Sequence, residues 1–213
     1  MIYLSGIVHP EIGRLRRDDL GVLITPRMGN RPDWLPFVDW AADNGMFSQP
    51  ETFTIEGYLA WLSTMAPWRS RCLFATAPDV VGDAAATWEL AESTFELIRA
   101  AGYPVALVAQ DGLEEMLPTL DWGRFDALFI GGSTEWKLSK WAQQAMAEAH
   151  KRGKHVHMGR VNSYRRLRRA KDWHGKSADG TFLQRAPDQN MLRMIAWLDR
   201  LKNEPNLFDA MAG

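Results

Sequence analysis

The sequence predicts a single α/β domain folded as a (β/α)8 TIM-type barrel, compact and irregular in its N-terminal part. Three observations lead there. From residue 71 onward, short apolar runs alternate with longer segments of helical period, the mark of repeated βα units on a parallel sheet. The whole chain offers eight such runs. Its 213 residues, 46% hydrophobic and 24% charged, suffice for one large core, near the short end of the usual barrel range. An open, doubly wound sheet is the alternative arrangement of the same elements. No repeat, low-complexity stretch or linker divides the chain, so one domain is expected over 1–213.

The N-terminal strands are read at 1–4 (MIYL), 21–25 (GVLIT) and 38–42 (VDWAA), followed by a helix near 54–66. The remaining five lie at 71–77 (RCLFATA), 104–109 (PVALVA), 127–130 (ALFI), 155–158 (HVHM) and, more weakly, 177–180 (SADG). Between them, 83–101 places Ala84, Trp88, Ala91, Phe95 and Ile98 on one stripe, with Asp83 as N-cap and Gly102 as the stop. A second long helix over 134–152 starts behind Ser133 and ends at Gly153. Helices over 163–173 and 188–203 complete the set, the last with Leu192, Ile195 and Leu198 turned inward.

Composition narrows the function. A lone cysteine, Cys72, supplies neither an internal disulfide nor a cysteine-rich zinc site. No run approaches the roughly 18 apolar residues of a membrane span, and the N-terminus lacks the order of a secretory signal, so a cytoplasmic protein is expected. Ten tryptophans serve core packing, with base stacking as a further use. The net charge of -1 hides an asymmetry: residues 151–171 carry nine Lys or Arg and no acid, leaving -10 on the other 192 residues. Within that segment Arg165, Arg168 and Arg169 share a helix face, and with Arg160 they suit a phosphate backbone. His155 and His157 alternate on one strand and read as structural rather than metal-ligating.

In barrels the chemistry gathers at the C-terminal ends of the strands. Here those ends read Asp43-Asn44-Gly45-Met46-Phe47, Ala77-Pro78-Asp79, Gln110-Asp111-Gly112, Gly131-Gly132-Ser133, Met158-Gly159-Arg160 and Ala178-Asp179-Gly180. Each alone is an ordinary turn or helix start. In sequence order, DNGMF, APD, VAQDG, FIGG, HMGRV and SADG resemble the motif series of the tRNA-guanine transglycosylase superfamily, nearest to its phage and bacterial 7-deazaguanine DNA transglycosylases. The resemblance covers about residues 40–185 and implies an irregular (β/α)8 barrel.

It also implies roles by position. Asp179 corresponds to the catalytic nucleophile and Asp43 to the general acid/base, the carboxylate pair that glycosidic-bond exchange requires. Asp79 and Gln110, with the backbone at Gly131 and Gly132, would read a guanine edge, and Met158 and Phe47 would pack on the base. The implied reaction exchanges guanine in DNA for a 7-deazaguanine base through a covalent aspartyl-glycosyl intermediate, with no cofactor and no metal. The partners would be DNA and the free base, in a bacterial or phage-infected cytoplasm, and a homodimer is compatible. A tRNA substrate ranks second, because the relatives' zinc subdomain of three cysteines and a histidine is absent. A nucleobase glycosidase and a non-catalytic nucleic-acid-binding barrel are the two rival classes. The chain departs from the pattern at Asn44-Gly45-Met46, where the family often has Ser-Gly-Gly, and at Ala178 and Gly180 beside Asp179.

Overall fold

Eight short parallel strands, each paired to the next in chain order, close into a barrel in the computed structural model, which describes residues 1–28, 32–48 and 50–204. They are β1 (Ile2–Ser5), β2 (Leu20–Ile24), β3 (Trp40–Ala42), β4 (Cys72–Thr76), β5 (Val105–Ala109), β6 (Ala127–Ile130), β7 (His155–Met158) and β8 (Ser177–Gly180). β8 pairs back onto β1 with Asp179 opposite Leu4, so the sheet has no edge and the open doubly wound arrangement is excluded. Even SADG, the weakest of the eight expected runs, is a full strand, because pairing on both sides supplies what its composition lacks.

Closure separates the side chains by the two-residue alternation of a strand. Leu4, Leu23, Ala41, Phe74, Val108 and Phe129 point into the bore. Tyr3, Val22, Trp40, Leu107, Leu128 and Val156 belong to the larger layer between strands and helices. One inward step beyond the bore residues, toward the C-terminal ends, come Thr25, Asp43, Gln110, Gly131 and Asp179. Alternation therefore delivers carboxylates and an amide to the mouth.

The helices are α1 (Pro10–Leu15), α2 (Ile55–Thr64), α3 (Ala84–Glu92), α4 (Phe95–Ala100), α5 (Leu113–Met116), α6 (Thr134–Lys137), α7 (Lys140–Lys151), α8 (Tyr164–Asp172) and α9 (Pro187–Asn203). The two long helices expected from periodicity are each divided. Between α3 and α4, the Thr94 hydroxyl donates to the Ala91 carbonyl (2.8 Å), a local bond that competes with helix continuation. Between α6 and α7, Ser139 accepts from the Trp141 amide (3.1 Å) and starts a new helix. Asp83 and Ser133 cap α3 and α6 as expected. The inward stripe of α9 is Met191, Met194, Leu198 and Leu201, whereas Leu192 is 71% exposed. The stripe starts one position away from the expected one because the flexible methionines, not the leucine, fill the gap against the barrel.

No described helix is long and apolar enough to cross a membrane. Phe74 is fully buried in the bore and meets Phe129 and His157 edge-on, with centroids 6.1 and 5.1 Å away. Phe74→Ala is expected to cost about 3–5 kcal/mol in a denaturant titration, against less than about 0.5 kcal/mol for Leu192→Ser. Equal effects of the two would contradict this assignment of the core.

Candidate active site

A cavity of about 400 Å³ opens at the C-terminal ends of the strands, with Asp43, Asp79, Gln110, Gly131, Asp179 and Arg160 in its wall. Phe47 also borders it from an exposed position. Most of the rim residues singled out from the sequence thus come together, and their bonds show what each does.

Asp43 comes directly after β3 and turns back to accept the Gly45 amide at 2.6 Å, the local turn that Asp-Asn-Gly encodes. Burial pushes its carboxyl up to about 6; the Gly45 bond opposes the shift, and the charges of Asp179 and Asp79 add to it. Asn44 ties the loop down. Its amide N–H donates to Thr76 Oγ1 (2.9 Å) and its side-chain Nδ2 to the Ala77 carbonyl (2.7 Å). Asp79 accepts Gln110 Nε2 at 2.7 Å, and burial raises its carboxyl above the usual range against the hydrogen bonds from Asn44 and Gln110.

Gln110 is committed at both ends, since its Oε1 accepts the Gly82 amide at 3.0 Å. The glycine amides are committed too: Gly131 and Gly132 N–H both donate to the Ala109 carbonyl, at 3.0 and 3.1 Å. Their carbonyls accept from Arg160 Nη2, at 2.8 Å for Gly131, while the Arg160 guanidinium lies 5.6 Å from the Phe47 ring centroid. The expected base-reading set of Gln110 and glycine N–H groups is therefore corrected. These groups fasten the rim loops to one another. Gly132 sits at φ +36, and a Cβ there would come within 2.5 Å of the Trp136 ring, which accounts for the glycine in physical terms.

Met158 requires a second correction. It is 1% exposed and packed in the layer behind the strands, because on β7 the inward positions are His155 and His157. Arg168 requires a third. It is held by Asp172 (3.0 Å) and Glu204 and so does not stand ready for phosphates, while Arg169 lies over the Trp173 ring at 5.3 Å and Arg165 is exposed. Helix geometry aligns the three arginines, but Asp172 and Glu204, the C-cap of α9, claim the middle one. Arg160, also expected on a phosphate backbone, is occupied with the rim carbonyls.

Two features lie beyond what the sequence predicts. The first runs down the bore: His155 Nε2 lies 2.7 Å from Ser177 Oγ, which lies 2.8 Å from His157 Nδ1, and His157 Nε2 lies 3.0 Å from Asp179 Oδ1. Burial lowers His155 to about 3, keeping that ring neutral. The two histidines are joined through Ser177, and His157 orients Asp179; the inward alternation of HVH and SAD is the signal that carries this. The second is Lys137, the last residue of α6, which is 1% exposed with no hydrogen-bond partner at Nζ. Nothing in its local sequence sets it apart from a surface lysine. Among the described residues no cluster of three or more His, Cys, Asp or Glu is arranged to hold a metal.

The fold defines the chain as a closed (β/α)8 barrel with an acidic mouth. No protein-family profile matches the sequence, and no curated protein matches it. A solved structure described as "Native KDPGal structure", an aldolase barrel, is similar over 95% of both chains, with a TM-score of 0.59 and 14% identity. That finding overturns the resemblance to the tRNA-guanine transglycosylases and with it guanine exchange in DNA, and it lends no support to the tRNA, glycosyltransferase, glycosidase or non-catalytic readings. The motif series arises because successive barrel strands end in similar Asp/Gly turns, and the bonds at Asp43, Gln110 and Gly131 brace the rim.

Asp43 supplies a test of this electrostatic picture. Its folded-state carboxyl is raised, so stability is greatest where it is protonated and falls as pH rises from about 4 through about 6. Asp43→Asn, which keeps an acceptor for Gly45, is expected to be more stable than the wild type at pH 8 by on the order of 2 kcal/mol, converging below pH 4. Parallel denaturation curves across that range would refute the raised carboxyl.

Proposed function

We propose that the mouth is an enzyme active site that binds a small polar ligand through its N–H or O–H donors and moves protons on it. Asp43 is the proton carrier, Asp179 the second reacting carboxylate, and Asp79 the binding carboxylate. The observation that carries this reading is the convergence of three carboxylates on one cavity, with Asp43 raised to about 6. A carboxyl near that value exists in both protonation states close to neutrality, which is what a general acid/base requires. The cavity volume falls within the range of small-molecule sites and is too small for a macromolecule to enter bodily.

The three acids are placed differently, and the difference supports separate roles. Asp79 is fixed by Gln110, with Oδ2 occupied, which suits holding a ligand. Asp179 is fixed from below by His157 and keeps an open side toward the cavity. Asp43 keeps Oδ2 for the ligand, because only Oδ1 is used by Gly45. The likeness to an aldolase barrel supports an enzyme, and at 14% identity the reaction is argued from these groups alone.

The test is proton exchange. A pool of small metabolites incubated with the protein in D2O is expected to show deuterium uptake in one compound class by mass spectrometry, falling as pH drops through about 6. Asp43→Asn and Asp179→Asn should each slow uptake at least about 100-fold, the usual scale of a lost general acid or base. Uptake undiminished in both variants would remove the carboxylates from the chemistry.

A further inference from the structure

The wall of the mouth is rich in acceptors and poor in free donors. Among the described lining residues, Asp43, Asp79 and Asp179 are acids and Arg160 is the one cation, turned onto the carbonyls of Gly131 and Gly132. The N–H groups of Asn44, Gly45, Gln110, Gly131 and Gly132 already have partners within the rim. Asp43 and Asp179 are each bonded through Oδ1, which leaves Oδ2 for a ligand. Asp79 is 9% exposed and the Asp179 side chain 14%, so water screens these charges only in part. An anion entering the cavity meets like charge from all three acids, whereas a cation offsets the repulsion among them.

A second part of the wall is apolar. Val108 and Phe129 border the cavity from the bore. At the rim, Phe47 on the loop after β3 and Val81 on the loop after β4 are 63% and 57% exposed. Large apolar side chains left open to water at the mouth of a cavity point to a ligand that covers them. We propose that the ligand of the mouth is a primary ammonium carried on a small apolar body, with its nitrogen among Asp43, Asp79 and Asp179 and its body against Phe47 and Val81. An ammonium has three N–H donors and no acceptor, which matches a wall whose free groups are carboxylate oxygens. The same acids reject a carboxylate or a phosphate, so the mouth selects by sign of charge as well as by shape. The inference rests on the reading of the mouth as an active site and deepens it by naming the substrate class.

Ligand-observed NMR titrations of the full chain with benzylamine, benzyl alcohol and benzoate provide the test, because the three probes share a ring and near neutral pH differ in charge. Benzylamine is expected to bind at least about tenfold more tightly than benzyl alcohol, the scale of a hydrogen bond to a charged group, with benzoate the weakest of the three. Methylamine, which lacks the ring, should bind at least about tenfold more weakly than benzylamine. Asp179→Asn and Phe47→Ser should each weaken benzylamine at least about fivefold. Phe47 is exposed, so its variant keeps the core intact, and the wild-type ranking decides the matter even if Asp179→Asn does not fold. Benzyl alcohol or benzoate binding as tightly as benzylamine, an affinity unchanged in the folded variants, or no binding by any probe would overturn the proposal. Binding is read without turnover, so its failure leaves deuterium exchange by Asp43 standing, whereas exchange absent with amine binding intact would sink the proton-transfer reading alone.

Discussion

Pairing of β8 with β1 is the constraint on which the rest of the molecule depends. Once the sheet closes, each inward side chain has a fixed height in the bore, and short strands of three to five residues leave room for only a few layers. The lower layers are apolar on β1–β6, with Phe74 and Phe129 filling the centre, and carry His155, His157 and Ser177 on β7 and β8. The uppermost layer falls on Thr25, Asp43, Gln110, Gly131 and Asp179. A register shift of one residue in β8 would exchange Asp179 for Ala178 in the bore and leave the mouth without its second carboxylate.

Holding carboxylates so close together is unfavourable, and the rim shows how the cost is offset. Asp79 is bonded by Gln110, Asp43 by its own turn, and Asp179 by His157. Asp111 is removed from the cavity altogether by accepting both the amide and the hydroxyl of Ser133, each at 2.6 Å. Arg160 adopts φ +58, an unfavourable backbone for a side chain with a Cβ, and spans the carbonyls of Gly131 and Gly132. Such strain is retained where the surroundings over-determine it, here by the Phe47 ring on one side and the rim carbonyls on the other.

The barrel is legible in the sequence because its signals are periodic and repeated: eight apolar runs and intervening 3.6-residue stripes each carry the same message. Helix breaks at Thr94 and Ser139 are not, since a single hydroxyl bond redirects the chain without disturbing the stripe. The acids of the mouth are found from the residues at the C-terminal end of each strand. Their chemistry is misread from sequence because Gln110 and the glycine amides carry bonding capacity there but spend it internally in the fold. Met158 differs from its expected place by one step of strand alternation, and Lys137 is invisible because burial, not residue type, makes it unusual.

The chain of hydrogen bonds from His155 to Asp179 has a direction. Ser177 owns one hydroxyl proton, so toward its two histidine neighbours it donates to one and accepts from the other. With Asp179 ionised and His157 neutral, His157 Nε2 donates to the carboxylate, its Nδ1 accepts from Ser177, and Ser177 accepts from His155 Nε2. If His157 takes up a proton, Nδ1 becomes a donor, the Ser177 hydroxyl must turn round, and His155 must present a bare Nε2 and move its own proton to Nδ1. The charge state at the mouth is thereby written into the tautomer of a ring two layers down the bore, without any atom heavier than hydrogen changing place.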